Sequence, residues 1–555
     1  MKNKQFLPLA ILALSQSLLA QQLPNLGGQM QQIPTIPSPP RAPPQIDLGP
    51  QETVVPSSVD TTSIEVRQLR VTGAQAYSEA ELIAVTGFLS GSQLTLSDMR
   101  TMAAKITTHY RRDGFFVAQA YLPEQDVRNG VVTIAVIEGR YGELRLNNQA
   151  PVSTALAGQL LSGLKTGDVV TSAPLERRLL LLSDLPGVTV KSTLSPGVEA
   201  GTSDLRVDLS PGRRVTGSID ADNAGNRYTG TYRGGATINF NEPLGLGDVA
   251  SLRVLTAGSG LNYGRAAYQL QLGEATAGAA YSYLEYKLGK EFKNLEANGT
   301  AEIASLYGRY PLIRSRNKNL YGGLALETKK FQDRVDVTNS VFDKRTHVAT
   351  ASLIGDWRDK VGGGGLNSYA VGFGVGDIDL QTPVVRSFDA LTARTDGNFN
   401  KVTFNAARVQ RLTDSVSLSV AISGQRASQN LDISEKMELG GMYGVRAYPE
   451  GEAYADEGYL LNLEARLELP KFSENLPGQM QLIGFVDAGR VKLHKNPWTL
   501  DKNTRTLSGA GIGVNWSEAN NFMVRTYYAF KLGNEEATSA PDKSGRFWIQ
   551  VVKYF

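Results

Sequence analysis

Cysteine is absent from this 555-residue chain. That excludes a disulfide scaffold and any thiolate metal centre, and it suits a route through an oxidising compartment. Histidine is scarce: His109, His347 and His494 lie far apart, which argues against a histidine metal cluster. Neither sign of charge is in excess. Lys and Arg number 57 against 54 Asp and Glu, and a net +3 is too small to recruit nucleic acid or anionic lipid by charge. After residue 20 no apolar run is long enough for a membrane helix. No Ser/His/Asp or Cys/His spacing, phosphate loop or ligand cluster stands out, so the chain reads as no enzyme, with no cofactor and no metal.

What is present begins at the N-terminus. Lys2 and Lys4 precede an apolar run from Phe6 to Leu14, followed by Ser15 to Ala20. This is the charged, apolar and small-residue order of a secretion signal over residues 1–20. Residues 21–61 are rich in Pro, Gln and Ser and read as an extended linker.

Two compact α/β modules follow. In residues 62–141, a strand from Ile64 to Val71 precedes a capping box at Ser78–Glu81. A second helix, capped by Ser97, spans Asp98 to Arg112 and places Met102, Ile106 and Tyr110 on one face. Gly114 ends it. Strands Phe115–Leu122 and Val131–Ile137 follow, with Asn129-Gly130 as turn chemistry. Residues 142–211 repeat the order: a strand at Leu144–Leu146, helices at Ser153–Leu164 and Leu175–Ser183, and strands at Val188–Leu194 and Leu205–Leu209.

From residue 212 to 555 the period changes to two. Leu461, Leu463, Ala465, Leu467 and Leu469 alternate with Asn462, Glu464, Arg466 and Glu468. Phe522, Val524, Thr526, Tyr528, Phe530 and Leu532 alternate with a row holding Arg525 and Lys531. Such strands have one apolar and one polar face. Full charges on the polar face, and lengths near the ~9–11 residues of a tilted span, favour a membrane barrel over a soluble sandwich. The last strand, Phe547–Phe555, ends on an aromatic, with Lys553 placed for an interface. At ~20 residues per strand and connection, residues 212–555 hold roughly 16 strands around an aqueous bore. The fold class is therefore mainly β: a transmembrane antiparallel barrel after two α/β modules.

Four stretches resemble a known family. Tyr110-Arg-Arg-Asp-Gly114, Tyr121-Leu-Pro-Glu-Gln125 and Val136-Ile-Glu-Gly139 look like a first POTRA module. Asp184-Leu-Pro-Gly187 and Ser195-Pro-Gly197 look like a second. Asp222-Asn-Ala-Gly225 and Asn241–Asp248 resemble the start of the barrel. Val445-Arg-Ala-Tyr448 and Phe485-Val-Asp-Ala-Gly489 are similar to the superfamily's long-loop and barrel-wall motifs. The whole order resembles the two-partner-secretion outer-membrane transporters, or haemolysin secretion/activation proteins. The resemblance implies a Gram-negative outer-membrane location with the POTRA modules in the periplasm. The partner it implies is a secreted exoprotein with an N-terminal secretion domain, which crosses unfolded. It also implies contact with outer-membrane lipid, insertion by the barrel-assembly machinery, and no nucleic acid, nucleotide or metal. The alternative is a barrel-assembly insertase of the same superfamily, although those usually carry more POTRA modules.

The resemblance also implies that the long loop near residues 440–458 folds back into the barrel with Arg446 at its tip. Met480, Leu482, Gly484, Val486 and Ala488 face outward by alternation, so Phe485, Asp487 and Gly489 face the lumen. Asp487 is then the expected bidentate partner of Arg446, and Tyr448 is expected to stack on Phe485. The five residues expected to be critical for transport are Arg446, Asp487, Tyr448, Phe485 and Gly489. There are two departures from the family pattern. Ala447 replaces a Gly and is strained if that position needs positive φ. Pro24, Gly27 and Gly28 oppose the family's pore-plugging helix, so either no plug forms or a short helix spans about Gln29 to Ile33.

Overall fold

The computed structural model describes residues 25–34, 45–48, 62–471 and 473–555. The expected secretion signal, residues 1–20, lies outside them. Two short elements come first, α1 (Leu26–Gln31) and β1 (Gln45–Leu48).

The first α/β unit contains β2 (Ser63–Val66), β3 (Gln68–Thr72), α2 (Glu79–Thr86), β4 (Ser92–Thr95), α3 (Leu96–Arg112), β5 (Gln119–Tyr121) and β6 (Val131–Ile137). Ser78 caps α2 through the Glu81 amide. Helix α3 begins earlier than expected. Its cap is Thr95, not Ser97, because Thr95 Oγ1 accepts from the Asp98 amide while the Asp98 carboxylate accepts from the Thr95 amide. Ile106 and Tyr110 are fully buried. Glu138 accepts from Tyr110 Oη at 2.9 Å and from the Gln75 and Ala76 amides, which joins helix, loop and sheet at one carboxylate.

The second unit contains β7 (Arg140–Asn148), α4 (Thr154–Leu161), α5 (Ser172–Ser183), β8 (Val188–Pro196) and β9 (Thr202–Pro211). Its sheet order is β1-β8-β9-β7. The expected linker is thus paired over part of its length: β1 runs parallel to β8 from Gln45↔Lys191 to Leu48↔Leu194. An open sheet edge offers unpaired backbone groups that any extended segment satisfies.

Sixteen antiparallel strands then close into a barrel. They are β10 (Val215–Asp222), β11 (Arg233–Asn241), β12 (Val249–Thr256), β13 (Leu261–Leu272), β14 (Ala275–Lys287), β15 (Ala297–Arg314), β16 (Lys318–Val335) and β17 (Ser340–Asp359). The second half comprises β18 (Gly365–Leu380), β19 (Gly397–Arg411), β20 (Val416–Ala427), β21 (Glu457–Glu468), β22 (Gln479–Lys492), β23 (Thr504–Glu518), β24 (Phe522–Lys531) and β25 (Gly545–Tyr554). Lengths run from 8 to 20 residues, so the longest exceed the expected span. Leu482, Val486, Ile512, Phe530, Phe547 and Val551 are exposed on the outside, and closure leaves no sheet edge in lipid.

The closing pair β10–β25 runs only from Ser218↔Tyr554 to Asp222↔Gln550. Asn223 extends it with its side chain, donating to the Phe547 carbonyl and accepting from the Ile549 amide. Asp222 is buried against Arg233 at 2.8 Å. These two residues, which the resemblance places at the start of the barrel, belong to its closing seam. Lys553 reaches Asn521 in the turn after β23, at the end of the barrel nearer the α/β units.

Candidate functional site

Residues 428–456, between β20 and β21, fold back into the barrel. Leu439, Met442, Val445, Ala447 and Tyr448 of this loop pack against Ile483, Phe485, Leu507, Tyr527 and Trp548 of the wall. The loop holds its own shape through backbone bonds from Val445 N to the Leu439 carbonyl (2.8 Å) and from Tyr448 N to the Val445 carbonyl (2.9 Å).

Arg446, only 4% exposed, sits at the centre. Its Nε and Nη2 donate to the two oxygens of Asp487 at 2.9 and 2.8 Å, and Nη1 donates to Glu464 at 2.8 Å. The Arg446 amide and Asn462 Nδ2 also donate to Asp487, at 3.1 and 2.7 Å. Asp487 is fully buried, and this set of donors satisfies its carboxylate. The guanidinium carbon lies 3.5 Å from the Phe485 ring centre and 5.0 Å from that of Tyr527. Trp548 Nε1 donates to the Arg446 carbonyl at 2.7 Å, tying the tip to the last strand. A buried ion pair is strong only when its remaining donors and acceptors are met, and here they are.

The structure brings Arg446, Asp487 and Phe485 together as expected, but it does not stack Tyr448 on Phe485. The Arg446 guanidinium occupies the ring face, and the edge of Phe485 meets Tyr527 at 5.8 Å. Tyr448 instead donates to the Glu535 carbonyl at 2.9 Å, and Lys531 lies over its ring. Gly489 makes room for the loop: a Cβ there would lie 2.3 Å from Leu439 Cδ1. Ala447 is buried and absent from the positive-φ positions, so the condition for strain is not met. Its methyl sits against Gly509, where an added Cβ would be 2.5 Å away. Glu464, Asn462, Trp548, Leu439 and Gly509 were not picked out in the sequence as partners of the tip. For Glu464 and Asn462 the signal was present, since both lie in the lumen-facing row.

The second closure is α1, a short helix as one of the two expected alternatives had it, but starting at Leu26 rather than about Gln29. It is a buried helix from Leu26 to Gln31, capped by Asn25, and it includes both glycines. A Cβ on Gly27 would lie 2.6 Å from Ser434 N, and one on Gly28 would lie 2.8 Å from Tyr454 Oη. The helix cost of glycine, ~1 kcal/mol each, is offset by contacts that no larger residue permits. Gln32 Nε2 donates to Tyr454 Oη at 2.7 Å, Gln31 Nε2 to the Ile433 carbonyl at 2.6 Å, and Arg233 Nη1 to the Gln32 carbonyl at 2.6 Å. Asp333 accepts from the Leu26 amide and from Tyr286 Oη. The helix is thus bonded to the loop and to the wall at once.

At the near end, α5 clamps the second α/β unit to the barrel. Arg178 pairs with Glu274 at 2.6 Å, and Arg314 grips Asp184 through two bonds of 2.7 and 2.8 Å. The Ser153 amide donates to the Gly245 carbonyl. Among the described residues no cluster of His, Asp and Glu has the make-up of a metal site.

The family description "Haemolysin secretion/activation protein ShlB/FhaC/HecB" matches residues 201–516, and "POTRA domain, ShlB-type" matches residues 64–139. The heme/hemopexin transporter protein HuxB of Haemophilus influenzae is 29% identical over 474 residues, covering 84% of this chain and 82% of that protein. The outer membrane transporter CdiB of Escherichia coli is 24% identical over 489 residues, covering 83% and 79%. A solved structure of CdiB from Escherichia coli shares the fold, with a TM-score of 0.69 at 20% identity, covering 98% of both chains. A closed sixteen-strand barrel, periplasmic POTRA architecture and a family match over more than half the sequence lead to one assignment: the chain belongs to the haemolysin secretion/activation family, outer-membrane transporters that pass a partner exoprotein across the membrane in two-partner secretion.

Proposed function

We propose that Arg446, Asp487, Phe485, Tyr448 and Gly489 form a lock that keeps the long loop seated in the resting transporter, and that passage of the exoprotein requires the lock to open. The observation that carries this reading is the buried Arg446 guanidinium, shared by two carboxylates and laid on an aromatic face. An internal charge so fully matched holds a loop in one place, yet it can be exchanged as a unit for a hydrated state. Helix α1 is a second closure that leaves with, or after, the loop because Tyr454 and Ile433 of the loop hold it.

In this reading the work is binding and passage, with no reaction step. The apolar exterior meets outer-membrane lipid, and the barrel-assembly machinery inserts the chain. The exoprotein arrives unfolded with its N-terminal secretion domain first. HuxB at 29% identity exceeds CdiB at 24%, so a heme/hemopexin-type exoprotein is the first client to test. The experiment is to express Arg446→Ala and Asp487→Ala in cells lacking the native copy and to measure exoprotein in the medium. Loss of secretion with a heat-modifiable, folded barrel is the expected result. Normal secretion by both variants would remove the lock from transport.

A further inference from the structure

Two cavities lie along one side of the lumen. One, about 390 Å³, opens at the periplasmic turns and is lined by Arg411, Thr413, Ser415, Ser417 and Glu468 among others. The other, about 420 Å³, lies under the loop tip and is lined by Ser419, Asn462, Glu464, Asn515 and Arg525 among others. Arg466 and Gln481 line both, so the two form one trough from the periplasmic mouth to the lock. Ser417 and Ser419 stand on the lumen face of β20, opposite Arg466 and Glu464 of β21. Side chains two residues apart on a strand are about 6.6 Å apart, which is also the two-residue repeat of an extended chain. Serine hydroxyls can bond to any backbone, whatever its sequence.

The trough is mixed in charge, with Arg411, Arg466 and Arg525 set against Glu464 and Glu468, so it offers no single deep well in which a moving chain would stop. It also touches the lock directly. Arg466 donates to Glu464 at 2.9 and 2.7 Å, and Glu464 in turn holds Arg446. The second α/β unit is clamped on the other side of the mouth, at residues 242–248, 273–274 and 314–316.

We propose that this trough, along β19–β22 and into β23–β24, is the docking surface for the leading extended segment of the exoprotein. That segment enters on the side of the mouth away from the second α/β unit and ends against the Arg466–Glu464 pair. The proposal rests on the lock only for where the trough ends.

The absence of cysteine makes the test clean. Single variants Ser417→Cys and Gln481→Cys in the trough, and Thr276→Cys on the lumen face of β14, are made in the full chain and labelled with a benzophenone maleimide. They are illuminated in cells that also express the exoprotein, stalled by a folded domain fused to its C-terminus. Transporter–exoprotein adducts from Ser417→Cys and Gln481→Cys at least fivefold above those from Thr276→Cys are expected. Equal or reversed yields, or no adduct at either wall while the unfused exoprotein is secreted, would overturn the proposal. Ser417→Trp gives an independent measurement: secretion should fall at least tenfold with the barrel still heat-modifiable, whereas Thr276→Trp should secrete normally. Trough adducts together with normal secretion by Arg446→Ala would sink the lock and leave the trough standing.

Discussion

Glycine does different work on two walls of the same lumen. On β22 and β23, Gly489 and Gly509 are filled by Leu439 and Ala447 of the folded-back loop, at distances where a Cβ could not fit. On β18, Gly374 has only Lys401 and Thr350 nearby, with no loop residue among its nearest neighbours, and its Cβ would meet them at ordinary contact distance. One wall is a socket cut to the shape of a guest, and the other is a flat stretch over which the Lys401 side chain lies at ordinary contact distance. The barrel sequence alone shows glycines on both. The socket is recognisable only with the guest in it.

The sharpest way to break the contrast is at the socket's charge. Asp487→Ala leaves Arg446 buried with one carboxylate instead of two, at a cost of ~3–5 kcal/mol. Secretion should fall by tenfold or more with barrel folding intact, as read by exoprotein in the medium and by gel heat-modifiability. The next effect is steric. Gly489→Ala should weaken loop docking by ~1–3 kcal/mol through overpacking. Adding Leu439→Ala should restore part of it, since the Tyr459 carbonyl stays 2.9 Å from the new methyl, and Gly374→Ala should change nothing; protease protection of the loop measures all three. If Leu439→Ala gave no rescue, the socket would not be the cause.

A milder change extends the same steric test to the plug. Gly28→Ala pushes a methyl against Tyr454 Oη, so pore conductance in planar bilayers should rise several-fold, whereas Gly484→Ala on β22, where an added Cβ meets nothing, should leave it unchanged.

Acidity offers a graded test. Burial raises the Glu450 carboxyl from its ordinary 4.5 to about 7, and burial beside Glu450 raises Glu438 as well. A folded-state value raised in this way gives loop docking a stabilising contribution that is complete below about 4.5 and is lost as pH rises through about 7. Conductance should therefore climb between pH 5 and pH 8, and Glu450→Gln should flatten the profile. A wild-type profile without slope would remove this contribution. The smallest effect belongs to the clamp between the second α/β unit and the barrel. Glu274→Gln affects the ion pairs with Arg177 and Arg178, about one-fifth exposed, worth ~1 kcal/mol and screened by salt. Distances between spin labels on the second α/β unit and the barrel should broaden slightly, and more so at low ionic strength than at high.

Much of this architecture was legible because it repeats. Alternation placed Asp487 and Glu464 in the lumen and Val486 outside, and residue count placed the strand number near sixteen. A signature like Val445-Arg-Ala-Tyr448 marks a loop tip only through resemblance to relatives. At the loop tip and the plug, the differences from expectation have a tertiary reason. Tyr448 yields the Phe485 face to a cation that binds it more strongly. Ala447 meets a glycine on another strand rather than a strained turn. Gly27 and Gly28, poor helix formers in isolation, become necessary where a helix passes within a Cβ of Ser434 and Tyr454.

Periodicity, charge balance and the missing cysteines together determined a barrel with a wet interior and two modules before it, because strand alternation is a local property of consecutive residues. Which glycine receives which side chain, which carboxylates share Arg446 and which edge takes up residues 45–48 were decided only by tertiary contact. Those partners lie tens to hundreds of residues apart, and only the folding of the sixteen-strand barrel and of the second α/β sheet brings them within bonding distance.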